Sequence, residues 1–169
     1  FNIAENAVLG GWETGSVLTI ASGTPFTVLI AGDQLGQNNT DPYTYPDKVN
    51  GPGCANPINP GNASAYIKVQ CFAVPNPIYQ LGTSGRNGLI GPGLINMDFS
   101  LFKNIPIREA FKAQFRAEFF NVLNRPNFQA PNDNRVILNS DGTTVPNAGA
   151  VTLMNTTSRQ IQFALKFTW

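Results

Sequence analysis

The sequence predicts an all-β chain of antiparallel, amphipathic strands of the transmembrane-barrel type, because three observations coincide. Apolar residues recur with a period of two rather than 3.6. Gly and Pro, 16 and 13 of them in 169 residues, recur throughout the chain and leave thin evidence for helix. The clearest strands carry Phe and Trp on one face and full charges on the other, the reverse of a sheet packed on a soluble core.

The first predicted strand spans 12–30, "WETGSVLTIASGTPFTVLI". Trp12, Leu18, Ile20, Phe26, Val28 and Ile30 share one parity, while Gly23 and Pro25 point to a bulge or a strand end. Residues 31–95 follow as a loop dense in Asn, Pro, Gly and Tyr. It is much longer than an ordinary connection, and so is expected to be functional or disordered. Its last part, "GTSGRNGLIGPG", is Gly-rich but lacks the Lys-Ser/Thr and the strand-loop-helix setting of a phosphate loop, and is read as a flexible closure onto the next strand.

A hairpin is predicted over 96–123. In "NMDFSLFKNIPI" Met97, Phe99, Leu101, Ile105 and Ile107 alternate with Asn96, Asp98, Ser100 and Asn104. Phe102 and Lys103 break the pattern, and Lys103 is expected to snorkel from the end of the apolar face. After a short link through Arg108 and Glu109, Phe111, Ala113, Phe115, Ala117 and Phe119 alternate with Lys112, Gln114, Arg116 and Glu118. So short a link permits only an antiparallel pair. A second loop, 124–158, leads to a terminal strand at 159–169, where Ile161, Phe163, Leu165, Phe167 and Trp169 alternate strictly with Gln160, Gln162, Ala164, Lys166 and Thr168.

Alternation alone suits a soluble β-sandwich equally well. The aromatic apolar face, the charged opposite face and a last run of the length that crosses a bilayer favour a membrane. Lipid cannot hydrogen-bond the backbone, so such a sheet closes on itself with its apolar side chains outward. On this reading Phe99, Leu101, Phe115, Phe119, Ile161, Phe163, Leu165, Phe167 and Trp169 face lipid or its interface. Asp98, Lys112, Arg116, Glu118 and Lys166 line the lumen and are able to pair across strands. The short link then lies in the periplasm and both long loops outside the cell. Four strands are too few to close alone, since the smallest barrels have eight.

Composition removes other functions. Charged residues make up 12% of the chain and net charge is +1, which leaves no basic footprint for nucleic acid. The absence of His removes the commonest general base and the His-containing metal sites, so no cofactor and no enzymatic activity are expected. Cys54 and Cys71 are too few for a Cys-only zinc site, and a disulfide is favoured over free thiols in an oxidising compartment. No stretch reaches the ~20 apolar residues of a transmembrane helix. The start at Phe1, without initiator Met or signal peptide, suggests a processed product or an excerpt. The sequons at Asn38, Asn62 and Asn155 carry no weight in an Asn-rich chain.

Four blocks in order, "GWETGSVLTIASGTPFTV", "GRNGLIGPGLINMDFSLFKNIPI", "FRAEFFNVLNRPNF" and "SRQIQFALKFTW", resemble the closing portion of Oar-like TonB-dependent outer-membrane receptors of the Acidobacteria type. "EFFNVLN" is similar to the E-x-F-N-x-x-N element near the end of such barrels, and the terminal aromatic is similar to their assembly signal. The resemblance implies a barrel of roughly 22 strands with an N-terminal plug and TonB box, all upstream of this segment. The partners it implies are outer-membrane lipid, the remaining barrel strands and plug, and TonB through those upstream parts. It transfers no ligand-binding residue. The alternative is a separate extracellular structural subunit whose open strand edges add identical subunits into a filament.

Overall fold

The computed structural model describes residues 8–37, 43–76, 79–108 and 111–169. Glu109 of the short link and the sequon at Asn38 lie outside them. In chain order the strands are β1 (Trp12–Ala21), β2 (Pro25–Phe26), β3 (Leu29–Ala31), β4 (Tyr43–Thr44), β5 (Asp47–Lys48), β6 (Phe72–Ala73), β7 (Leu89–Ile90), β8 (Leu94–Pro106), β9 (Lys112–Phe120), β10 (Val136–Leu138) and β11 (Gln160–Thr168). The chain divides into two compact units: Phe1–Ala21 with Leu94–Asn127 and Thr156–Trp169, and Ser22–Gly93 with Phe128–Asn155.

The first unit is a four-stranded sheet in the order β1-β8-β9-β11, antiparallel at every step. The hairpin and the terminal strand fall close to their predicted positions because there the alternation is cleanest. The predicted strand 12–30 is shorter than expected and ends at Ala21. Beyond Ala21 the Gly23 and Gly91 backbones pass in contact, a Cβ on Gly23 lying only 1.7 Å from the Gly91 carbonyl oxygen, and Gly91 N donates to the Thr24 carbonyl where the regular ladder has stopped. Residues 25–31 leave the sheet, Pro25–Phe26 pairing with Leu89–Ile90 and β3 lying between β10 and β4.

The second unit corrects the expectation of two open loops. It holds a hydrophobic core built from both excursions, in which Ile30, Ile67 and Ile137 are at most 1% exposed and Val28, Phe72, Leu89 and Val151 pack around them. Burying each such side chain contributes about 2 kcal/mol, enough to order segments poor in regular structure. The Gly-rich stretch is a close-packed wall here. A Cβ on Gly82 would meet the Pro46 and Tyr45 backbone at 2.3 Å, and Leu89–Ile90 form a strand. Tyr66 is buried, with its hydroxyl donating to the Ile90 carbonyl at 2.9 Å; burial raises its pKa. In the "NSDG" turn the Thr143 hydroxyl and then the Thr143 amide donate to Asp141, which holds its carboxyl below the ordinary value.

A disulfide joins Cys54 to Cys71, 17 residues apart. Beside it Lys68 Nζ donates to the carbonyls of Gly53 and Asn56, each at 3.0 Å, so the same turn is held covalently and by charge. Closing a loop of this size stabilises the folded state by about 3 kcal/mol in the chain-entropy model. A Cys54→Ala/Cys71→Ala double variant is expected to lose about that much and to become protease-sensitive within 50–72. Thiol labelling of denatured, unreduced protein should find no free sulfur. Quantitative labelling of both would end the assignment.

Candidate functional site

The candidate site is the sheet wall, whose two faces are fixed by its registers. Phe99 pairs with Phe119 and Lys103 with Phe115 across β8 and β9, Leu165 with Phe115 across β11 and β9, and Leu18 with Met97 across β1 and β8. Since side chains alternate, these pairings collect Trp12, Leu18, Ile20, Met97, Phe99, Leu101, Phe115, Phe119, Ile161, Phe163, Leu165 and Phe167 on one face. The opposite face takes Glu13, Asp98, Ser100, Asn104, Lys112, Gln114, Arg116, Glu118, Gln162 and Lys166. Within β8, β9 and β11 the register thus keeps residues of one parity on one face, whereas Phe26, Val28 and Ile30 of the predicted first strand have left this sheet for the core of the second unit. Trp169 follows the end of β11 and is 89% exposed.

The apolar face has no core beneath it. Phe163 is 65% exposed and Leu165 59%, and every residue of β1 is exposed. Ring pairs shelter part of it: Phe99 with Phe119 at 6.1 Å, Phe115 with Phe163 at 6.0 Å and Phe111 with Phe167 at 5.8 Å between centroids. Lys103, the one charge on this face, is 6% exposed. It does not snorkel. Its ammonium donates to the carbonyls of Val8 (3.1 Å) and Gly10 and lies 4.9 Å from the Trp12 ring centre, while the Trp12 indole donates to Val8 at 3.0 Å. Backbone oxygens and a π face neutralise the cation in place.

The polar face is knitted across three strands. Asn104 Nδ2 donates to Glu13 Oε1, Gln114 Nε2 to Asn104 Oδ1 and Arg116 Nε to Gln114 Oε1, each at 2.7 Å. Phe102, which broke the sequence pattern, stands opposite Arg116 with the guanidinium carbon 5.3 Å from its ring centre. The expected pairing of charge with charge does not occur among the described residues. The register sets Glu118 opposite Ser100 and Gln162, Arg116 opposite Phe102 and Ala164, and Lys166 opposite Gln114, so each charge meets a neutral neighbour. At the short-link end of the sheet lies a cavity of about 530 Å³, lined by Asn104, Pro106, Lys112, Gln114, Lys166 and Thr168 of the polar face, with Ile105, Ala113 and Gly10–Gly11 beside them.

At the other end, where the long connections leave the sheet, three asparagines hold the rim. Asn121 is buried with φ +48°; its Nδ2 donates to the carbonyls of Arg125 and Thr157, both at 3.0 Å, and its Oδ1 accepts from Arg125 N at 3.1 Å. Its own amide donates to Asp98 Oδ1 at 2.9 Å. Asn124 Oδ1 accepts from Arg159 N at 3.0 Å, and Asn127 Oδ1 from Ile95 N at 2.9 Å. The E-x-F-N-x-x-N element therefore ties the ends of β8, β9 and β11 together. Sequence reasoning assigned these residues no role, although their three-residue spacing, 121, 124 and 127, was a visible signal.

Asn121→Ala is expected to cost about 3 kcal/mol, by removing the three side-chain hydrogen bonds and leaving in the left-handed region a residue that tolerates it less well than Asn. Asn121→Gly keeps the backbone permissive and should cost about 1–2 kcal/mol less. Urea unfolding of the chain refolded in detergent micelles measures both, and equal losses would show that the side chain alone matters.

A family model described as an outer membrane beta barrel domain matches residues 2–162. No curated protein and no solved structure matches the chain. A match over nearly its whole length, on a sheet with an exposed aromatic face and a hydrogen-bonded polar one, shows that the chain belongs to the outer membrane beta-barrel domain family.

Proposed function

We propose that this chain is the closing barrel-wall segment of a TonB-dependent receptor of the Oar-like, Acidobacteria type, serving uptake as non-catalytic wall and extracellular loops. The wall role in an outer-membrane barrel follows from the family. The observation that carries the receptor reading is the E-x-F-N-x-x-N element, Glu118–Asn124, which fastens the rim of the sheet in the place where the resemblance puts it.

In this reading the face bearing Phe99, Leu101, Phe115, Phe119, Ile161, Phe163, Leu165, Phe167 and Trp169 lies against lipid. Asp98, Lys112, Arg116, Glu118 and Lys166 line the lumen, and the disulfide-stapled unit stands outside the cell. The free edges of β1 and β11 are covered by the remaining strands of the parent barrel, whose upstream plug and TonB box couple it to TonB. A filament of identical subunits is favoured by one feature: β1 and β11 run in opposite directions, so β11 of one copy can pair antiparallel with β1 of the next.

Two measurements separate these readings. The intact mass of the native polypeptide should be that of a full receptor, whereas a species near 18.2 kDa supports the filament. Within the receptor, Leu165→Arg should cost about 2–4 kcal/mol and impair membrane insertion. Gln162→Arg, opposite Glu118, should cost little; Ala164 is a poorer control because it faces Arg116. Equal effects at positions 162 and 165 would refute the assignment of faces.

A further inference from the structure

We infer that the cavity at the short-link end of the polar face binds small organic dianions, with Lys112 and Lys166 as the paired cations. The inference goes beyond the receptor reading and stands on the cavity alone. All six side chains named above for its lining, those of Asn104, Pro106, Lys112, Gln114, Lys166 and Thr168, belong to the polar face by register, and none is a carboxylate. Lys112 stands opposite Thr168 and Lys166 opposite Gln114, so the two lysines are diagonal neighbours on adjacent strands, about 7 Å apart. Neither has an ion pair or hydrogen bond among the described residues.

The amides of the lining belong to a hydrogen-bond chain that ends on Glu13 of β1. Glu13 accepts from Asn104, Asn104 accepts from Gln114, and Gln114 accepts from Arg116, so the amides of the lining are held in fixed orientation. Two cations on adjacent strands, neither paired with a carboxylate among the described residues, can each meet one carboxylate of a dianion. Pro106 can receive a short carbon spacer against its apolar ring, with the Thr168 hydroxyl able to donate to an oxygen. A cavity of about 530 Å³ lies within the range of small-molecule sites.

The test uses the 169-residue chain in zwitterionic detergent micelles, with lysines carrying ¹³C-methyl labels that preserve their charge. Succinate is titrated at constant ionic strength, and acetate serves as the monovalent control. The expected result is a saturable shift of the Lys112 and Lys166 signals together, absent at Lys48, with succinate binding at least about tenfold tighter than acetate. Lys112→Gln and Lys166→Gln should each weaken binding about tenfold or more, and Lys112→Arg should retain it. Because both lysines are exposed, these variants should fold as the parent does. A linear, unsaturable shift matching that of Lys48, or succinate affinity unchanged in either glutamine variant, would overturn the proposal.

Discussion

The sheet depends on a register that does not slip across three antiparallel pairings. A one-residue shift in any of them would carry a whole strand's Phe and Leu side chains to the polar face and its charges to the apolar one. The clamps lie at both ends. At one end the link after Pro106 turns the chain through hydrogen bonds between Ile107, Arg108 and Phe111. At the other, Asn127 bonds to Ile95 near the start of β8, and Asn121 and Asn124 bond to Thr157 and Arg159 just before β11. Between the clamps, the Glu13-Asn104-Gln114-Arg116 chain runs across the strands, and it can form only when Asn104 and Gln114 stand opposite each other.

Two kinds of stabilisation therefore operate in one polypeptide. The excursions fold as a water-soluble domain does, with buried Ile, Val and Phe, a disulfide and tight backbone contacts. The sheet leaves its apolar side chains uncovered, so hydrophobic burial within the unit cannot account for them, as befits a family of outer-membrane barrels. Lys103 fits this division. On an apolar face an unpaired ammonium is costly, and capture by the Val8 and Gly10 carbonyls and the Trp12 ring meets that cost without a second charge.

Much of the sheet was legible in the sequence, because strand period is a local property: the residues from Lys112 to Phe120 and from Gln160 to Thr168 declare their faces without reference to anything distant. The extent of the first strand was not legible. Its apolar parity continues through Phe26, Val28 and Ile30, past the point where Gly91 approaches Gly23 and the regular ladder has stopped. The core of the second unit was hidden for the same reason, since Ile30, Ile67 and Ile137 meet across long sequence separations inside stretches whose composition suggests loop. The register puts the charged residues of the strands on one face, as their parity indicates, but their partners were not legible. Partners depend on register, and register requires knowing which residue ends each connection. The asparagines were visible but silent, since nothing local reveals which carbonyls an amide will reach.

The pairing of Pro25–Phe26 with Leu89–Ile90 has a kinetic side. β1 and β8 are neighbours in the sheet yet are separated by the whole excursion 22–93, a closure that is slow and entropically unfavourable for an unstructured chain. Once β2 and β7 have paired, only the short links 22–24 and 91–93 remain between that pair and the Ala21–Leu94 rung. Replacing a loop of about seventy residues by these links lowers the closure cost by about 2 kcal/mol. Pairing of β2 with β7 thereby shortens the closure that brings β1 and β8 together, so part of the sheet's alignment is set by residues outside the sheet.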